Sequence, residues 1–161
     1  MVRKILIISM IFMLLGCISY RTEFGKKRFK VDLLKMKQIS NDSVYKIIDT
    51  TKLYETISSF SYGNNNYVSN LKKTYLKFYA NGKIGVFYSF DPNNNNSINP
   101  KKADMGYYNY LNSSLFIKTH FDHPQGGGYA KAELKVKQVN DTLELISKDY
   151  LKKYKIIDLP K

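Results

Sequence analysis

An all-β fold, an antiparallel meander of about eight strands curled into a barrel or a sandwich, is the class this sequence predicts. Three observations predict it. Thr74 to Phe90 alternates in period two on both sides of Asn81-Gly82, with Leu76, Phe78 and Ala80 before the turn and Ile84, Val86, Tyr88 and Phe90 after it. That pattern is a hairpin signature, and Asn-Gly supplies the two positive φ angles of a type I′ turn. Tyr129 to Val139 sets Ala130, Ala132, Leu134 and Val136 against Lys131, Glu133, Lys135 and Lys137, as in a sheet buried on one side. No strong amphipathic helix separates such stretches, and turns rich in Asn, Asp and Ser join them.

The β domain does not begin at the first residue. Arg3 and Lys4 form a short positive region, and Ile5 to Leu15 form an apolar run broken only by Ser9, the composition of an export signal. A membrane-spanning helix needs roughly 20 apolar residues, and polar residues already start at Ser19 and Arg21. The expected division is therefore a signal segment at 1–16, a tether at 17–42 and an antiparallel β domain at 43–161.

The apolar run closes on Leu14-Leu15-Gly16-Cys17, which resembles the lipobox of bacterial lipoproteins cut by signal peptidase II. The resemblance implies that Gly16 and Cys17 flank the cleaved bond, that the Cys17 thiol carries diacylglycerol, and that its new amino group is often acylated. Cys17 is the single cysteine of the chain, so no intramolecular disulfide competes for it. One acyl chain holds a protein marginally and two or three hold it almost irreversibly, at about 0.8 kcal/mol per buried methylene. The implied location is the cell envelope, on a membrane facing away from the cytoplasm. Ile18 after the lipidated position, rather than Asp, points to the outer membrane by the sorting pattern of that family.

Loss of residues 1–16 leaves 145 of 161 residues, the size of one domain. It also removes Arg3 and Lys4, so the formal charge falls from +13 to +11. A positive balance of this size suits anionic lipid, acidic glycan or nucleic acid. An exported position excludes nucleic acid and leaves an envelope protein, a glycan or an apolar ligand as the expected partners, beside the membrane itself.

Along the tether, Gly25-Lys26-Lys27-Arg28 with Lys30 is a basic cluster, worth about 1 kcal/mol per cation next to an anionic leaflet. Val31 to Met36 reads as a short helix or docking strand. Val44 to Ile48 reads as the first strand, Asp49-Thr50-Thr51 as a turn into Leu53-Tyr54, and Ser58 to Asn70 as a loop from its Ser, Asn and Gly content. After the hairpin at 74–90, Asp91 to Asn96 reads as a polar loop. Met105 to Leu111 and Leu115 to Phe121 read as strands joined by Asn112-Ser113-Ser114. Tyr129 to Val139 turns through Asn140-Asp141 into Thr142 to Ser147, and Lys153 to Ile157 is the final strand.

From residue 74 onward this succession resembles the lipocalin-like all-β lipoproteins of bacteria. The resemblance implies a barrel that carries a small apolar ligand, with Leu76, Phe78, Val86, Tyr88, Leu115 and Ile117 facing an inner cavity.

The residues themselves put a different surface first. Several central strands are apolar or aromatic on both sides, which a strand with water on one side should not be. Tyr75, Tyr79, Phe87, Tyr108 and Tyr110 are the expected binding face of a non-catalytic, envelope-associated module, since phenol rings bury area while the hydroxyl stays bonded. Cover by the segment 18–60 is the competing reading. Catalytic chemistry is weakly signalled. His120 and His123 could hold a metal for a hydrolase with help from Asp91 or Asp104, but the spacing matches no helical metal motif. Gly126-Gly127-Gly128 lacks the Lys-Ser/Thr of a phosphate loop, and no Gly-X-Ser-X-Gly elbow is present. No cofactor is expected.

Overall fold

The computed structural model describes residues 19–21, 27–29, 42–69, 71–122 and 129–159. Two short strands, β1 (Ser19–Arg21) and β2 (Lys27–Phe29), pair antiparallel inside the stretch read as a tether. The main body is a nine-stranded antiparallel sheet. It comprises β3 (Leu53–Ser61), β4 (Asn66–Tyr67), β5 (Tyr75–Phe78), β6 (Lys83–Phe87), β7 (Asp104–Leu111), β8 (Ser114–Asp122), β9 (Tyr129–Val139), β10 (Thr142–Ile146) and β11 (Tyr150–Ile157).

Chain neighbours pair in order from β5 to β11, β3 pairs with β5, and β11 returns to pair with β3. Eight strands thus close into an up-and-down barrel, while β4 sits outside the closed ring as a two-residue edge on β3. Closure leaves no open edge along the ring, which is how such sheets avoid unpaired backbone. The expected class holds, and the barrel is the form it takes. The closing pair carries a bulge. Thr56 faces Tyr154 and Ser58 faces Lys153, so Ile57 is the extra residue, and it is exposed.

One end of the barrel is made of tight connections, and the other carries the long ones together with the short turn at 147–149 between β10 and β11. At the tight end, the hairpin after β5 corrects the expected turn. Gly82 N–H donates to Tyr79 O at 3.1 Å, Tyr79 N–H donates to Lys83 O at 2.9 Å, and of the two turn residues only Gly82 has positive φ, at 75°. This is a three-residue loop ending on a left-handed glycine. The two successive positive φ angles occur instead at Asn112 (49°) and Ser113 (59°), between β7 and β8. Asn140 is left-handed in the turn from β9 to β10.

Other boundaries also moved. Val44 to Ile48 is not a strand: Asp42–Lys46 is a 3-10 turn, with Ile47 and Ile48 N–H groups both donating to Val44 O. The spacing of Val44, Ile47 and Ile48 puts them on one side of a helical turn, and they pack into the interior and close the tight end. Ser58 to Ser61 belongs to β3 despite its serines, because β11 supplies the partner backbone. Likewise β11 starts at Tyr150, not Lys153.

Two apolar clusters result. The interior holds Tyr54, Leu76, Phe78, Ile84, Tyr108, Leu115, Ile117, Leu134, Val136, Leu143, Leu145 and Tyr154 with Val44 and Ile48. A second cluster lies on the outside of β3, β5 and β6, where Leu53, Tyr75, Phe87 and Ala103 are covered by Phe90, Ile98 and the C-terminal Ile157 and Leu159. Gly85 makes room for that layer, since a Cβ there would meet the Phe87 ring at 3.0 Å and Ala103 at 3.1 Å.

Candidate functional site: the long-loop end of the barrel interior

Strand alternation assigns each candidate to a side. Leu76, Phe78, Leu115 and Ile117 are buried in the interior cluster, and Val86 packs against it half-buried. Tyr88 faces the same space and donates its hydroxyl to Asp104 Oδ2 at 2.7 Å. Five of the six thus lie in or against the packed interior, and Tyr88 is linked to it through Asp104.

The expected aromatic binding face does not exist as an exposed surface. Tyr75 and Phe87 point outward but are 9% and 1% exposed, beneath the 90–103 excursion and the C-terminal residues. Among the described residues, the apolar side chains packed over Tyr75 and Phe87 come from there. Tyr108 points inward, is 5% exposed and donates its hydroxyl to Tyr79 O at 2.7 Å, and Tyr110 packs against the interior cluster. Period-two alternation places Tyr108 and Phe87 on opposite sides of the sheet, so the five residues never share a surface. The Tyr79 hydroxyl is buried without a hydrogen-bond partner among the described residues, and burial pushes its pKa up to about 12.

Among the described residues the exposed aromatics are Tyr45, on the 3-10 turn, and Tyr62 and Tyr67, in the stretch that reads from the sequence as a loop. Tyr62 and Tyr67 each meet Phe60 edge-on, at 5.7 and 5.2 Å, and Tyr67, Val68 and Ile57 are all exposed. The Ser and Asn content of 58–70 hid Tyr62, Tyr67 and Val68.

Inside, the barrel changes character along its axis. Toward the tight end it is aromatic and aliphatic, with Phe78 edge-on to Tyr54 at 5.4 Å and to Tyr108 at 5.3 Å. The Tyr54 hydroxyl accepts from Asp49 N–H at 2.6 Å, which ties the closing segment to β3. Toward the long-loop end the lining turns polar. Thr56 and Thr74 share a hydrogen bond of 2.5 Å between hydroxyls, and Thr74 Oγ1 lies 3.2 Å from the Tyr154 hydroxyl. Ser59, Thr119 and Asp104 are buried there too. Burial raises the pKa of Tyr150 to about 12, with Tyr154 and Asp149 adding to it.

Charge on β11 follows the same alternation. Lys153 and Lys155 point outward and pair with Glu144 at 2.9 Å and Glu55 at 3.0 Å. Lys152, just before them and in phase with Tyr150 and Tyr154, stands opposite Leu145 on β10 and Ser59 on β3, both buried. Cross-strand partners share a side of the sheet, so Lys152 points into the barrel. Its ammonium lies 5.2 Å from the centre of the Tyr150 ring, and burial lowers its pKa. Lys77 shows the structural alternative: it is outward, 8% exposed, and its ammonium donates to Thr50 O at 2.5 Å.

Among the described residues no group of three His, Cys, Asp or Glu side chains could hold a metal ion. The backbone of His120 lies on β8, while His123 and Gly126 to Gly128 fall outside the described residues, as do Gly16 and Cys17. Asp104 is tied to Tyr88, and Asp91 caps its own loop by accepting from Asn93 N–H at 2.9 Å. Two Ser-X-X-Lys spacings occur, Ser43 to Lys46 and Ser69 to Lys72, and both lysines are exposed. Among the described residues no helix is long and apolar enough to cross a membrane. In comparisons with protein-family models, curated proteins and solved structures, this chain matches none, so the site stands on its own geometry.

Proposed function

We propose that this chain is a membrane-anchored, non-catalytic binding module of a bacterial cell envelope, held by lipid on Cys17 and taking a small ligand into the long-loop end of its barrel. The observation that carries the binding half is the change along the barrel axis. Eight-stranded barrels either fill with side chains or hold one small ligand. Here the tight end is filled by rings and closed by Val44 and Ile48, and the other end is lined by hydroxyls, an acidic group and an ammonium. Apolar walls with a few placed polar groups are the usual make-up of a small-molecule site.

Support for the anchor is the opening pattern, Arg3-Lys4, Ile5 to Leu15 and Leu14-Leu15-Gly16-Cys17. The exposed Ile57, Tyr62, Tyr67 and Val68 give an envelope-associated protein an outer contact surface as well.

Each half has its test. Cys17→Ser should shift the protein from the membrane fraction or leave it unprocessed, and a variant that fractionates with membrane at normal mature size removes the anchor. For the barrel, isothermal titration of the full-length protein in mild detergent with 2-naphthalenemethanol should give saturable heat above the detergent blank. Absence of saturable binding of that neutral probe and of its carboxylate counterpart, 2-naphthoate, removes the binding reading.

A further inference from the structure

We infer that the ligand of this barrel carries an anionic group and that Lys152 receives it. The inference rests on the binding reading above and names the chemistry of its ligand.

β11 carries Lys152 on its inner side and Lys153 and Lys155 on its outer side, and the two outward ones are each matched to a carboxylate. The inward one meets only an aromatic ring among the described residues. Lys152 is half-buried, and an ammonium drawn partly out of water with no carboxylate or hydrogen-bond acceptor beside it loses hydration, which a ring at 5.2 Å offsets in small part. A methionine or leucine at 152 would continue the lining of Leu145, Leu143 and Tyr154 without that cost. An arriving anion supplies the missing acceptor, in a charge-assisted hydrogen bond of the stronger kind. Burial lowers the pKa of Lys152 in keeping with this loss of hydration.

The surroundings orient the guest. In the strand order β11 and β7 stand on opposite walls of the ring, so Lys152 faces the wall that carries Asp104 and Tyr88. An acidic group there disfavours a second anion and leaves the β11 wall as the anion-receiving side. Thr56, Thr74 and Tyr154 lie beside it with hydroxyls already linked to one another. Rings at the floor, from Tyr54 and Phe78, limit the guest to a compact body. The chemical class is a small organic acid with one carboxylate, sulfonate or phosphate.

A matched probe pair tests it: 2-naphthoate against the neutral 2-naphthalenemethanol, titrated into the full-length protein in mild detergent. Wild type should prefer the anion by about ten- to a hundredfold, the range of a charge-assisted contact. Lys152→Met should abolish that preference, bringing the two probes to equal affinity, whereas Lys152→Arg should retain most of it. Lys135→Met removes an exposed charge on β9 and should behave as wild type. Equal binding of the two probes, or an anion preference untouched in Lys152→Met, overturns the inference while the binding reading stands. Should Lys152→Met not fold, Lys152→Gln against Lys152→Arg decides by the same preference. No binding of either probe to wild type overturns the binding reading itself.

Discussion

Phe78→Ala tests whether the tight end of the barrel is packed, on which the placement of the site at the opposite end depends. Phe78 is fully buried, and its ring meets the edges or faces of Tyr54 and Tyr108 with centroids 5.4 and 5.3 Å away. A buried aromatic side chain removes about 150–250 Å² from water, which at about 25 cal/mol per Å² is roughly 4–6 kcal/mol. Alanine keeps part of that area, and measured Phe→Ala losses run at about 3–5 kcal/mol. Two ring partners place Phe78 in the upper part of that range, so about 4 kcal/mol is expected. Urea unfolding followed by far-UV circular dichroism reads it, with tyrosine emission as second probe because the chain has no tryptophan. With a slope of about 2 kcal/mol per molar, the midpoint should fall by roughly 2 M. A loss below about 1.5 kcal/mol would refute the reasoning. Phe78 would then border open space, and the ligand would have room at the floor rather than beside Lys152.

The turn geometry and the outer charges give two further predictions. Asn112 and Ser113 both adopt positive φ, which costs an L residue roughly 1–2 kcal/mol, so Ser113→Gly should stabilise the protein by about 1 kcal/mol and raise its melting temperature by about 2–4 °C; no rise would mean the strain is absent. Lys73, at 2.7 Å, and then Lys155 hold the Glu55 carboxyl below its ordinary value of 4.5, against some desolvation. A depressed carboxyl contributes stability above its unfolded value and loses it as pH falls through the folded one. Wild type should therefore melt above Glu55→Gln at pH 7, with the two converging below about pH 4.5. A constant offset down to pH 3 would show that the pair contributes by shape and not by charge.

What could be read from the sequence was local. The 74–90 hairpin and the one-sided β9 strand are visible because neighbours two residues apart decide the pattern, and Leu134 and Val136 are buried while Glu133, Lys135 and Lys137 are exposed as that pattern requires. The same two-residue logic failed at Val44 to Ile48, where apolar positions 44, 47 and 48 suit a strand or a helical turn, and only the barrel mouth selects between them. Asn81-Gly82 advertised a two-residue turn, yet strand register decides loop length, and register is a property of both strands. The outer cover was concealed by asparagines: Phe90, Ile98 and Ala103 are spaced too widely in the 90–103 excursion to show a period. Lys152 was out of sight for a related reason. Tyr150, Lys152 and Tyr154 alternate with Leu151, Lys153 and Lys155, so each side of β11 carries a mixture, and neither announces itself as the inside.

The pairing of β3 with β11 also governs how the chain can reach this structure. Leu53 and Ile157 are partners about a hundred residues apart, so the ring cannot shut until nearly all of the described chain has been made. Until then β3 and the growing end of the meander each expose a row of unpaired backbone groups. High contact order of this kind folds slowly, on millisecond to second scales. Under the export proposed above, slow closure would keep the chain extended while it crosses a membrane. It also means that deleting Tyr150 to Ile157 does not yield a seven-stranded barrel but an open sheet with two sticky edges, prone to pair with its own copies.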